Sequence, residues 1–182
     1  MRLISICLCA LTLTSFSCSK KSHPETPSNN GAVTSTTKTT KKSSLTSSPV
    51  KNVYYSSSNG FAGWRKEWKA AIREDGKYDL TFVDENYFRN SGTEDPTITY
   101  TGTADVGEQL HKILEDGHIE KYRNHYQPEF DITDGTSWSF SATFMDKVNI
   151  SSGGYMEWPD DSSAINNFLK LVEENVEGLP EK

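Results

Sequence analysis

Over several short stretches of this chain, apolar residues alternate strictly with polar ones. Over others they recur every three to four residues, so the pattern itself separates strands from helices. Trp68, Ala70 and Ile72 share one face of a strand, Glu74-Asp75-Gly76-Lys77 supplies an Asp-Gly turn, and Tyr78, Leu80 and Phe82 return on one face. That predicts a hairpin, because Asp and Gly tolerate the backbone a tight turn needs. From Thr97 to Thr103, threonine alternates with Ile98, Tyr100 and Gly102, the pattern of a half-buried strand. The clearest strand sets Trp138, Phe140, Ala142 and Phe144 against Ser137, Ser139, Ser141 and Thr143, one face for the core and one for water. Met145 to Lys147 then turns, and Val148 and Ile150 begin a partner strand that ends at Ser151-Ser152-Gly153-Gly154.

The helical stretches have a different period. Asp105-Val106-Gly107-Glu108 has capping-box spacing, Leu110, Ile113 and Leu114 form a stripe, and Gly117 is placed to stop the helix. Ile119, Tyr122 and Tyr126, at spacings of three and four, predict a second helical stretch that ends before Pro128. A last helix follows Pro159, Asp160 and Asp161, with Ile165, Phe168, Leu169, Val172 and Val176 on its stripe and Gly178 beyond it. Glu173, Glu174 and Glu177 oppose the dipole at its C-terminal end, which predicts fraying there. The simplest arrangement that buries these stripes is α+β: a mostly antiparallel sheet of about five to six strands with two to three helices packed on one face.

Upstream of these elements the pattern is that of an exported chain. Arg2 precedes an apolar run from Leu3 to Phe16, the layout of a secretory signal peptide, here residues 1–17. The run is shorter than the roughly 20 apolar residues a membrane-spanning helix needs. Small residues, Ser15 and Ser17, stand three and one places before Cys18. Cys7 and Cys9 leave with the signal peptide, so Cys18 is left without an intrachain partner. An unpaired thiol in an oxidising compartment is a liability that acylation removes. Cys18 is therefore the predicted lipidation site, and the membrane is reached through an N-terminal lipid anchor.

Residues 18–50 are predicted to be the lipidated N-terminus and a disordered tether. From Ser19 to Val50, fifteen of thirty-two residues are Ser or Thr, too polar to offset the entropy of ordering. Such a coil reaches about 30 Å. The tether carries five lysines against Glu25, whereas residues 51–182, read as a single α+β domain, hold thirteen Lys and Arg against twenty-four Asp and Glu, a net charge of −11. That balance excludes a nucleic-acid binder, which needs a basic patch to neutralise phosphates. It leaves a protein or glycan partner in the envelope.

Candidate chemistry adds little to this picture. His111, His118 and His125 sit seven apart, but seven-residue helical steps separate side chains by about 10 Å, too far to share one ion. No metal site and no cofactor is predicted. Asp84/Glu85, Asp131/Asp134 and Asp160/Asp161 are carboxylate pairs that also suit turns and opposite strand faces. There is no nucleophile elbow, phosphate loop or dinucleotide fingerprint, so nothing in the sequence calls for catalysis. Two aromatic groups beside glycines stand out: Gly60-Phe61-Ala62-Gly63-Trp64, and Tyr155-Met156-Glu157-Trp158-Pro159 after Gly153-Gly154. Trp64, Tyr155 and Trp158 are the candidate binding residues, rigid flat side chains suited to carbohydrate, peptide or protein. The competing reading of Trp64 and Trp158 is that they cover the core.

From Asp134 to about Leu171, the pattern Asp-Gly-x-x-Trp, then Phe144, then Ser152-Gly153 and Pro159 before a final helix, resembles the C-terminal half of small uncharacterised Bacteroidetes lipoproteins. The resemblance implies a fold and an envelope location and brings no catalytic residue or ligand. Bacteroidetes-type lipoproteins sent to the surface tend to carry acidic residues after the cysteine. Ser19, Lys20 and Lys21 stand here instead, so the resemblance implies a periplasm-facing protein lipid-anchored to the bacterial envelope. Three functions follow as expectations. The first is a tethered binding or interaction module without catalytic activity; the others are an envelope hydrolase using acidic residues and an acidic inhibitor-type protein that meets a basic partner.

Overall fold

The computed structural model describes residues 44–86 and 97–180. All belong to the second of the two units into which the chain divides, Lys41–Lys182. The signal segment, Cys18 and most of the tether lie outside the described residues.

In chain order the elements are β1 (Val50–Asn59), β2 (Trp64–Ile72), β3 (Tyr78–Asn86), β4 (Thr97–Ala104), α1 (Gly107–Asp116), a 3-10 turn (Ile119–Lys121), β5 (His125–Tyr126), β6 (Ser137–Phe144), β7 (Asn149–Tyr155) and α2 (Ser163–Asn175). The strands form one sheet in the order β4-β3-β2-β1-β6-β7-β5. Neighbours are antiparallel except β5, which pairs parallel with β7. The class is α+β, with seven strands and two α-helices among the described residues, against an expected five to six and two to three.

The alternating segments fold as their pattern requires. Trp68 pairs with Phe82 and Ala70 with Leu80 across β2 and β3, and Gly76, at φ 83°, makes the turn between them. Leu80, Ala70, Val53 and Ala142 form one buried row across β3, β2, β1 and β6. Phe82, Trp68, Tyr55 and Phe140 form the next. The helices pack on each other and on this face of the sheet. Leu110 and Leu114 enter the core from α1, and Ile165, Phe168, Leu171 and Val172 enter it from α2. The opposite face carries Thr99, Thr101, Ser139 and Ser151, exposed, as alternation predicts.

Where the structure departs from the sequence pattern, the cause is local. β1 has no clean alternation because a bulge between Val50 and Asn52 shifts its register against β6, so Val50 and Val53 are both buried. Val50, placed in the tether by composition, is a core residue at 1% exposure, and Leu45 packs against the core ahead of it. The second helical stretch is reduced to the 3-10 turn. His118 takes a left-handed backbone (φ 50°), Tyr122 is extended, and Tyr126 lies in β5. The capping box does not form: Val106 is the N-cap of α1, with no side-chain cap bond. Val148 stays outside β7, which instead runs on to Tyr155. Val176 is extended rather than helical, because the chain leaves α2 to lie along β4, where the Glu177 N–H donates to the Thr101 carbonyl at 3.0 Å. Gly102 permits that crossing, since a Cβ there would meet the Asn175 carbonyl oxygen at 1.9 Å.

Candidate functional site

Strand direction gathers three connections at one end of the sheet. β1 and β7 run toward that end and β2 and β6 run away from it, so the segments 60–63, 127–136 and 156–162 all lie there. The chain enters β1 at the other end, a strand length of about 30 Å away at 3.2–3.4 Å per residue. Burial then singles out the distal end. Phe61 is 76% exposed, Phe130 69%, Met156 39% and Trp158 36%, and Ile98, near the start of the edge strand β4, is exposed at the same end. Among the described residues the other exposed large apolar side chains, Met145 and Val148, sit in the β6–β7 turn at the entry end.

The distal side chains stand on a rigid support. Trp158 stacks on Trp138 with ring centroids 6.5 Å apart and planes 13° from parallel. Trp138 continues inward to Tyr55, Tyr55 to Trp68, Trp68 to Phe82 and Phe82 to Tyr100, a run of aromatic contacts across the sheet. The Trp138 Nε1–H donates to the Glu157 carbonyl at 2.7 Å, which fixes the backbone beside Trp158. Such stacking orders a partly exposed ring before any partner arrives. The segment 127–136 is held in a similar way. The Tyr155 hydroxyl donates to the Ile132 carbonyl (2.9 Å) and accepts the Gly135 N–H (2.7 Å). The Met156 N–H donates to the Thr136 carbonyl (2.9 Å), with Met156 itself at φ 55°.

Of the residues singled out by sequence, Trp64 and Trp158 come to the same end and the same face of the sheet. Trp64 opens β2 opposite Asn59 and Asn86, on the side that carries Trp68 and Ala70, and is half-buried. Trp138, under Trp158, lies on that side too, at Ser57 of the intervening β1. Tyr155 does not join them. It alternates with the buried Gly154 toward the opposite face, and its hydroxyl is occupied in holding the 127–136 segment. Cys18 lies outside the described residues. The sequence pattern left Phe130 unmarked and showed Phe61 and Met156 only as parts of loops. Phe130 carried a signal: a lone aromatic in Pro128-Glu129-Phe130-Asp131 with no periodic partner.

From Asn124 to Ser162, outside the entry-end turn that holds Asp146 and Lys147, there are six Asp and Glu and no Lys or Arg; Arg65 and Lys66, at the start of β2, and Arg123 are basic residues near this end. Glu157 pairs with Arg123 at 2.7 Å; that carboxylate, chiefly, raises the Arg123 pKa, and the guanidinium lies 4.2 Å over the Tyr126 ring.

A cavity of about 270 Å³ adjoins this region, lined by His118, Lys121, Tyr122, Tyr126, Pro159 and Asp161 among others. Among the described residues the buried Tyr122 hydroxyl has no hydrogen-bond partner, and burial together with the Asp161 charge pushes it well above the ordinary tyrosine range. Asp161 is held below the usual carboxylate range by its hydrogen bonds to Ser163, aided by His118 and Lys121. It is a fixed anion at neutral pH and no proton donor. The three histidines do not gather: His111 bonds the Thr46 carbonyl at 2.9 Å, His118 precedes the 3-10 turn and His125 lies in β5. Among the described residues no group of three or more His, Cys, Asp or Glu could hold a metal ion.

Compared with protein-family models and with curated proteins, the chain matches none. No helix of the described residues is long and apolar enough to cross a membrane.

Proposed function

We propose that this protein is a lipid-anchored lipoprotein of the bacterial cell envelope, of the small Bacteroidetes type, whose domain is a tethered binding module without catalytic activity. The observation that carries the reading is the placement of Phe61, Phe130, Met156 and Trp158 at the end of the sheet away from the chain's entry. Bulky apolar side chains exposed together cost solvation free energy in the isolated protein, and binding a partner recovers it. The described chain enters the domain at the opposite end of the sheet. Acylation at Cys18 and a periplasm-facing orientation complete the proposal, supported by the lone cysteine and by Ser19, Lys20 and Lys21 after it.

A second reading, an envelope hydrolase using acidic residues, draws on the cavity beside Asp160 and Asp161. Binding is preferred because it accounts for the exposed apolar side chains of the distal end, which a hydrolase centred on this cavity would leave without a role.

One experiment tests both parts of the proposal. Cells expressing the full chain are labelled with an alkyne fatty acid and fractionated. The wild type is expected to carry label in the membrane fraction and to retain an envelope protein after mild cross-linking. Cys18→Ser should lose label and membrane association. Phe61→Ser/Phe130→Ser/Trp158→Ala should keep both and lose the cross-linked protein. An unlabelled wild type would sink the anchor, and a loop variant that cross-links as well as wild type would sink the contact surface.

A further inference from the structure

We infer that the partner of the distal end is a basic protein surface bearing an exposed apolar side chain, an inference that rests on the contact-surface reading above. Phe130 stands among Glu129, Asp131 and Asp134, all exposed, and no Lys or Arg of the described residues pairs with any of the three. Trp158 is followed by Asp160 and Asp161, both exposed. Phe130 and Trp158 are therefore flanked along the chain by exposed carboxylates, of which Asp161 alone has His118 and Lys121 nearby, in a domain of net charge −11 over residues 51–182. Close like charges raise the potential of the free surface, and a cationic partner relieves it.

Two effects divide the work. Exposed ion pairs contribute little affinity each, so burial of Phe130 and Trp158 holds the complex. The carboxylates speed encounter and choose among partners. The same carboxylates reject nucleic acid, anionic lipid and other acidic proteins, and they repel a second copy of this chain, since each copy would present its own carboxylates to the other.

The test uses the full chain and three synthetic peptides of equal length, built from Lys and Phe, from Glu and Phe, and from Lys and Ser. The Lys/Phe peptide is expected to bind at least about tenfold more tightly than either of the others and to weaken as salt rises. Asp131→Asn/Asp134→Asn should weaken it. Glu74→Gln/Glu115→Gln, which removes the same charge from exposed sites elsewhere, should leave it unchanged. All four positions are exposed, and circular dichroism and melting confirm that each variant folds.

Equal binding of the Lys/Phe and Glu/Phe peptides would overturn the basic partner, as would equal weakening by the two double variants. In either case the contact surface itself stands if Phe130→Ser still abolishes binding. If Phe130→Ser and Trp158→Ala change nothing with any peptide, both the inference and the contact-surface reading fail.

Discussion

Tyr78 and Tyr122 both bury their hydroxyls, with opposite hydrogen-bond balances. The Tyr78 hydroxyl donates to the Val50 carbonyl at 2.5 Å, whereas that of Tyr122 has no partner among the described residues. Tyr78→Phe should therefore destabilise the domain by about 1 kcal/mol. Tyr122→Phe should be neutral or stabilise it by up to about 1 kcal/mol, because it removes a buried group that gains nothing in return. Chemical denaturation of the two variants checks the contrast, and a Tyr122→Phe loss as large as that of Tyr78→Phe would refute it. Burial raises both tyrosines above the ordinary value of 10.0. The unfolded chain then ionises first as pH rises, so the two groups cost no stability below about pH 10 and lower it progressively as pH rises above it. The Tyr78→Phe/Tyr122→Phe double variant should lose less stability than wild type between about pH 9 and pH 11. None of this was visible in sequence, which showed Tyr78 as a strand residue and Tyr122 as part of a helical stripe. Hydrogen-bond satisfaction depends on chain segments far apart, as between Tyr78 and Val50.

Elements were legible wherever one face of regular structure meets the core without interruption. Trp138 to Phe144 is the clearest example, because a strand half in water and half in core must alternate. The β2–β3 hairpin and α2 were legible for the same reason. Two kinds of element were not. β1 was hidden because its bulge breaks the period and its second half, Ser56 to Ser58, carries no apolar residue. β5 is two residues long and gives no period at all. The helix expected around Tyr122 failed because Ile119, Tyr122 and Tyr126 reach the core from three different local structures, a turn, an extended residue and a strand.

Packing between elements gives its own prediction. At Gly102 a Cβ would stand 1.9 Å from a backbone oxygen of Asn175, where no side chain can yield. Gly102→Ala should cost about 1–3 kcal/mol by forcing β4 and the end of α2 apart. Its melting temperature decides the matter. The same substitution at Gly60, where a Cβ meets nothing within 4 Å, is the control that should leave stability nearly unchanged.

On the scale of the molecule, the sheet separates where the chain enters from where its exposed aromatic residues stand. At the entry end the chain is stitched down. The Thr46 hydroxyl donates to Asp146 at 2.6 Å, the Met145 N–H donates to the Pro49 carbonyl at 2.9 Å, and Leu45 packs on the core. At the distal end, Trp158 rests on an aromatic run that crosses the sheet, and Phe130 stands among carboxylates. Sequence alone named Trp64 and Trp158 because glycines beside aromatic residues mark loops. It could not show that the segments around Phe61 and Phe130 reach the same end of the sheet, since strand order decides that. It also chose Tyr155, whose hydroxyl turned out to hold a loop, because an aromatic residue reads alike whether it supports a surface or forms one.

The most direct test of the distal end as the contact surface is site-specific photo-cross-linking in living cells. A photoreactive residue is placed at Phe130 in one strain and at Thr101, on the exposed opposite face, in another. A discrete cross-linked product is expected from position 130, absent from position 101 and lost when Trp158→Ala is added. Equal products from both positions, or none from position 130 while position 101 gives one, would contradict a contact surface at the distal end.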